Sequence, residues 1–196
     1  ALLCFDCMGI AEWQLLKEYL KDTSLTFKEQ YVFALLPSVT SICRTAIFHG
    51  TNNVYDIKYP GRRDEAKAFA DFFKDKQTKY FVEDDVLDEN TLLGYDTVSV
   101  LFNFFDDLCH STLFPVNENT KAIYFNNCKQ YLEKSNVKQT IKTLLDNDFA
   151  IYFCSDHGSI IAKGNGERLK KYLIDDFAKR AVIIPEQASE LTEFEK

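Results

Sequence analysis

The chain has 196 residues, 46% of them hydrophobic with 17 Phe and 10 Tyr, enough for one domain with a sizeable core; 7 Gly and 4 Pro are too few for a disordered chain. A formal net charge of −7 excludes a protein that coats nucleic acid without selectivity, which would be basic, but leaves open a nucleotide substrate held through bound metal. No signal-peptide pattern and no apolar run of about 18 residues is present, so no membrane span is expected.

Leu2 to Cys7 reads as a first strand that delivers Asp6 at its end. Ile10 to Lys21 follows as a helix, with Ile10, Trp13, Leu15, Leu16 and Leu20 at helical spacing. Leu25 to Leu36 is a second β-rich segment closing at Leu36-Pro37-Ser38. Thr40 to Phe48 reads as a helix that stops at Gly50, and residues 51–63 as a polar loop. Asp64 to Lys76 is an amphipathic helix, Lys79 to Val82 a short strand, and Glu83 to Glu89 a charged connection. Thr97 to Phe105 is strongly β-patterned and runs into Asp106-Asp107. Glu118 to Ser135 and Val137 to Leu145 are helical in pattern.

Phe149 to Cys154 is a short aromatic run that reads as a buried strand, ending on Ser155-Asp156-His157-Gly158. Ser159 to Ala162 is a candidate pairing segment, Leu169 to Phe177 a helix and Arg180 to Ile184 a last strand. Strands alternate with helices throughout, which predicts an α/β fold with a mostly parallel sheet flanked by helices. The chain starts inside a strand, at Ala1-Leu2-Leu3-Cys4-Phe5, as expected of a single domain cut from a longer protein.

The six cysteines, at 4, 7, 43, 109, 128 and 154, lack the spacing of a small disulfide scaffold. Cys4 and Cys7 form a C-x-x-C pair with no second pair to complete a four-thiolate zinc site. All six are expected as reduced thiols, which points to a cytoplasmic protein.

In an open parallel sheet, the strand ends aim side chains into a common crevice. Asp156 beside His157 sets a hard oxygen next to an imidazole, a combination that suits zinc or manganese; the alternative is a capped turn. Asp106 and His110 lie four residues apart, on one face if that segment is helical, able to grip one ion or merely to bond each other. Asp107 is left to solvent or to an outer position. Thr40 opens a helix, where unpaired backbone N–H groups favour an anion, and a metal or base would be needed to make its hydroxyl a nucleophile. Its alternative role is a helix cap. Arg44 lies one turn further on the same face and is a candidate for the same anion, or a surface charge.

Taken in order, Phe5-Asp6-Cys7-Met8-Gly9-Ile10-Ala11-Glu12-Trp13, Leu36-Pro37-Ser38-Val39-Thr40-Ser41-Ile42-Cys43-Arg44 with Gly50, Asp106 to His110, and Ser155-Asp156-His157-Gly158 resemble the PglZ domain of the alkaline phosphatase superfamily. The resemblance runs over nearly the whole chain. It implies an alkaline phosphatase-like core and two divalent cations, usually zinc, with manganese an alternative. It places Asp6, Thr40, Asp156 and His157 around one ion and Asp106 with His110 on the other, with Thr40 attacking phosphorus to form a phospho-threonine that water then hydrolyses. The implied substrate is a phosphate ester or phosphodiester. Such modules occur in bacterial phage-defence systems and behind receiver domains of two-component regulators, so other domains of the same longer protein are expected partners.

One departure stands out. The superfamily's second ion usually takes a further histidine downstream, whereas the histidines here are at 49, 110 and 157 only. A degenerate, non-catalytic module acting as an interaction platform is therefore the alternative function, and a metal-dependent mutase a third. Lys163, Arg168, Lys170 and Lys171 either extend positive charge toward a larger phosphate ligand or form a solvated helix face.

Overall fold

The structure is a computed structural model that describes residues 1–50, 62–111, 119–160 and 166. Ala1–Ala162 form one compact unit and Lys163–Lys196 a second. The expected helix at 169–177, the strand at 180–184 and the basic residues 163, 168, 170 and 171 lie outside the described residues, as does nearly all of the loop at 51–63.

The elements run β1 (Leu2–Phe5), α1 (Ile10–Tyr19), α2 (Thr40–His49), α3 (Arg62–Phe72), β2 (Thr78–Val82), α4 (Glu89–Leu92), β3 (Thr97–Phe102), α5 (Phe104–Ser111), α6 (Thr120–Lys134), α7 (Val137–Asp146) and β4 (Tyr152–Cys154). The four strands form one sheet in the order β2-β3-β1-β4, every pair parallel, as the α/β reading requires. Leu3 pairs in register with Val100 on one side and Phe153 on the other. From β1 the chain passes to β2 at the sheet's edge, returns to insert β3 between the two, and then crosses over to lay β4 on the opposite side of β1. That reversal opens a crevice beyond the carboxyl ends of β1, β3 and β4, where open α/β sheets place their ligands.

Strand alternation divides the core into two faces. Leu3, Phe5, Val98, Val100 and Phe102 join the cluster built with Leu16, Leu20, Cys128, Leu132, Ile141 and Leu144 of the α1, α6 and α7 side. Each fully buried leucine there contributes roughly 1.5–3 kcal/mol. On this face Phe5 stacks on Phe102 at 4.6 Å between ring centroids and lies 6.2 Å from Phe153, which ties three strands together. The opposite face turns toward α2 and α3, where Phe69 meets Tyr80 edge-on. Cys4 and Asp6 fall on this second face by their parity in β1.

Several local expectations need correction, beginning with the buried strand expected over Phe149 to Cys154: β4 spans Tyr152–Cys154, and none of its residues is buried. Leu25 to Leu36 forms no strand; the segment attaches through side chains, with Phe27 edge-on to Trp13 and Phe153, and Glu29 accepting bonds from Trp13, Lys17 and Tyr31. β-rich composition describes a surface that fits a sheet, and without a ladder partner it leaves the segment extended. The run from Thr97 stops being strand at Phe102, so Asp106 sits in the first turn of α5 rather than at a strand end. The charged connection contains the one-turn helix α4, capped by Asp88, whose carboxylate accepts the Thr91 N–H at 2.9 Å. Ser159 and Ile160 are not in a strand, and Ile10 is exposed.

Gly50 ends α2 in the left-handed conformation, φ 66° and ψ 17°, as the helix-stop reading expects. All six cysteines are free, four of them buried. Among the described residues no helix is long and apolar enough to cross a membrane.

Candidate metal centre

The centre is assembled where β1 and β4 end side by side. β1 continues its pairing one residue past its end, the Asp6 N–H donating to the Phe102 carbonyl at 2.8 Å, so the Asp6 side chain leaves the sheet at a fixed height. The chain then reverses through Cys7, whose φ of 64° is left-handed for a non-glycine residue and costs about 1–2 kcal/mol. The reversal directs the Cys7 N–H to Asp156 Oδ1 at 3.2 Å and the Met8 N–H to Ser155 Oγ at 3.0 Å. Ser155 in turn donates to the His157 carbonyl at 2.7 Å, and Asp156 Oδ1 also accepts the His157 N–H at 2.8 Å. Gly9 and Gly158 are in backbone contact beside these bonds: a Cβ on Gly158 would lie 3.0 Å from Gly9 Cα. Glu12 Oε2 closes the turn by accepting the Gly9 N–H at 3.0 Å.

These bonds bring together groups that are far apart in the chain. Asp6, Asp156 and His157 offer ligand atoms that all lie within 4.8 Å of one another. Asp6 and Asp156 are 3% and 5% exposed, and Asp6 Oδ1 and Asp156 Oδ2 have no hydrogen-bond partner among the described residues. His157 Nε2 stands 3.8 Å from the first of these oxygens and 3.5 Å from the second. His157 Nδ1 is 3.1 Å from the Gly158 carbonyl, which can only accept, so Nδ1 carries a hydrogen and Nε2 is the ring atom left to meet a cation. Nε2 lies 2.9 Å from the Thr40 hydroxyl, within hydrogen-bond distance.

Two unpartnered carboxylate oxygens and an imidazole nitrogen thus converge on one buried point, with the Thr40 hydroxyl against the nitrogen. Such an arrangement is costly unless a proton or a cation lies between the ligands. Burial, and then the charge of Asp156, raise the Asp6 carboxyl to about 8, with Arg44 acting in the opposite direction. Two carboxylates with an imidazole fit zinc or manganese by donor type, and the unpartnered oxygens are two ligand atoms free to take such an ion.

Thr40 is not the helix cap. Val39 occupies that position with no side-chain cap bond, and Thr40 is the first helical residue, its hydroxyl turned to His157 instead. Arg44 is drawn into the same neighbourhood rather than left as a surface charge. Its Nη1 donates to Asn103 Oδ1 at 3.0 Å and lies 3.4 Å from Asp6 Oδ2, while Nε is 3.2 Å from Glu65 Oε1.

Asp106 and His110 meet across one turn of α5, Oδ1 to Nε2 at 3.4 Å, as the four-residue spacing expects. Asp106 is close enough for its charge to act on Asp6. The His110 side chain is 66% exposed, however, and neither residue joins the three-ligand cluster. Asp107 and His49 are exposed and stand apart from that cluster.

Glu65 and Asn103 were not singled out from the sequence. Asn103 follows β3 directly, and its backbone N–H donates to Glu83 Oε2 at 3.0 Å. Glu65 is 2% exposed on α3 and accepts the Tyr80 hydroxyl at 3.1 Å. The available signal was helical spacing, since Glu65, Phe69 and Phe72 fall on one stripe of that helix.

No curated protein matches the chain. The family model described as the BREX system PglZ alkaline phosphatase-like domain matches residues 1–192. The chain therefore belongs to the PglZ family of alkaline phosphatase-like domains.

Proposed function

We propose that this domain is a metal-dependent phosphoesterase with Thr40 as its nucleophile. The observation that carries the reading is the convergence of Asp6 Oδ1, Asp156 Oδ2 and His157 Nε2 beside the Thr40 hydroxyl. Asp6, Thr40, Asp156 and His157 would hold one divalent cation, zinc or manganese, and Asp106 with His110 a second. Bound there, the cations would supply Lewis-acid stabilisation of phosphoryl oxygens and make the threonine hydroxyl easier to ionise.

The chain's own groups do the rest. The N-terminus of α2 presents backbone N–H groups and the positive end of its dipole to an anion beside Thr40. Arg44, one turn along, keeps a permanent positive charge next to the carboxylates and lowers the cost of bringing a phosphate to them. Thr40 Oγ attacks phosphorus, the ester P–O bond breaks and the alcohol leaves with a proton. Water then cleaves the phospho-threonine, releasing phosphate from a monoester or a phosphomonoester from a diester and restoring the hydroxyl.

A second reading, a non-catalytic PglZ module serving as an interaction platform, draws on the exposure of His110 and the two-residue second position. Elemental analysis of the protein after dialysis against zinc or manganese, followed by hydrolysis assays on a chromogenic phosphodiester and monoester, separates the two. Two ions per chain with turnover is the expected result. One ion or none, with no turnover of either ester, would overturn the enzymatic reading in favour of the platform.

A further inference from the structure

We infer that Glu65 is a positioning residue for Asp6, acting through Arg44, an inference that rests on the metal-centre reading above. A guanidinium beside a carboxylate ordinarily captures both oxygens with its planar fork. If Arg44 did this to Asp6, neither Asp6 oxygen would be available to a cation. Instead Nη1 gives its hydrogen bond to Asn103 Oδ1 at 3.0 Å, and Nε, which makes no hydrogen bond among the described residues, is paired by charge with Glu65 Oε1 at 3.2 Å. The contact with Asp6 is a single 3.4 Å approach to Oδ2, and Oδ1 stays unpartnered.

The holding groups are themselves held. Glu65 is buried and takes the Tyr80 hydroxyl on Oε2 at 3.1 Å, which fixes α3 to β2 at this point. Asn103 is fixed by Glu83 through its backbone N–H. A line of contacts therefore runs from Tyr80 through Glu65 and Arg44 to Asp6, and Asn103 steadies it from the side. Among the described residues, Asp6 and Glu65 are the carboxylates within 4.0 Å of the Arg44 guanidinium. Without the charge of Glu65, Arg44 would be drawn onto Asp6, covering the ligand and leaving its positive charge closer to the cation position. Both effects oppose cation binding.

The test is Mn(II) binding to the metal-free protein, read by titration calorimetry and by loss of the free Mn(II) electron spin resonance signal. The proteins are the wild type, Asp156→Asn, Glu65→Gln, Glu65→Asp, Arg44→Gln and the Glu65→Gln/Arg44→Gln double variant. Glu65→Gln is expected to weaken binding ~10-fold, the scale on which a group that orients a metal ligand acts. Glu65→Asp, which keeps the charge, should recover most of the affinity. In the Arg44→Gln background, Glu65→Gln should change affinity by less than ~2-fold, since the residue it works through is gone.

A merely structural role would give equal losses in both backgrounds, and that result, or wild-type affinity in Glu65→Gln, would overturn the inference. If Glu65→Gln does not fold, Tyr80→Phe loosens Glu65 without removing its charge. It should then show a smaller loss that also vanishes with Arg44→Gln, and unchanged affinity in Tyr80→Phe would overturn the inference. Absent Mn(II) binding in the wild type, or full binding in Asp156→Asn, would sink the metal-centre reading and this inference with it. Wild-type binding that Asp156→Asn abolishes and Glu65→Gln leaves intact would sink this inference alone.

Discussion

Substituting Gly158 by alanine probes how the two strand ends are held together. The added Cβ would stand 3.0 Å from Gly9 Cα and 3.5 Å from Gly9 N. Comfortable carbon–carbon contact begins at about 3.5 Å, so the two loops must separate by roughly 0.5 Å. The obstruction is backbone, which has no rotamer to relieve it. Overpacking of this kind costs ~1–3 kcal/mol. Beside the contact, the Cys7 N–H reaches Asp156 Oδ1 at 3.2 Å, already long, and the same separation would break it. A hydrogen bond to a charged acceptor is worth ~1.5–3 kcal/mol. The expected destabilisation is therefore ~3 kcal/mol, together with weaker cation binding because Asp156 loses the donor that orients it. Urea denaturation of the metal-free wild type and variant, compared by midpoint at equal slope, measures the first effect, and Mn(II) titration the second. A loss below ~0.5 kcal/mol with unchanged Mn(II) affinity would refute the claim that the Gly9–Gly158 contact sets the site.

The folded metal-free chain keeps a proton on Asp6, raised from 3.8 to about 8, that the unfolded chain releases above pH ~4. Asp6 thus contributes stability that is fully present at pH ~4 and is lost as pH rises toward 8; Tm measured from pH 5 to 8 should fall, Asp6→Asn should flatten the fall, and an unchanged slope in that variant would remove Asp6 as its source. Thr40→Ala should reduce ester hydrolysis by at least ~100-fold while Mn(II) binding is partly retained; hydrolysis at the wild-type rate would take Thr40 out of the nucleophile role. Asp156→Asn combined with His157→Ala should strip the cation held with Asp6, and unchanged metal content by elemental analysis would rule out that ligand set.

What could be read from the sequence was whatever depends on neighbours along the chain. Short apolar, β-rich runs marked β1, β3 and β4, and helical patterning marked α1, α6 and α7 to within a few residues. Gly50 announced the end of α2, and the four-residue spacing of Asp106 and His110 by itself placed them on one helical face. Ser155-Asp156-His157-Gly158 marked a strand end carrying a carboxylate beside an imidazole, although the strand before it is not buried. The family followed from four such pieces in order.

The tertiary structure decided everything that joins distant residues. Cys7 and Asp156 are 149 positions apart and Thr40 and His157 117; the parallel pairing of β1 with β4 makes the first two neighbours, and the placement of the first turn of α2 beside the end of β4 the second two. It separated the nucleophile candidate from the cap, because the Thr40 hydroxyl had a distant histidine to bond. It left the β-rich stretch at 25–36 outside the sheet, since strand propensity takes effect only where a ladder partner exists. It also set Glu65, a buried residue whose sequence context is that of an ordinary charged helix, against Arg44. Local patterns encode which backbone conformation is cheap at each position; the meeting of unpartnered oxygens, an imidazole nitrogen and a hydroxyl depends on strand order and burial, which no single stretch of this chain encodes.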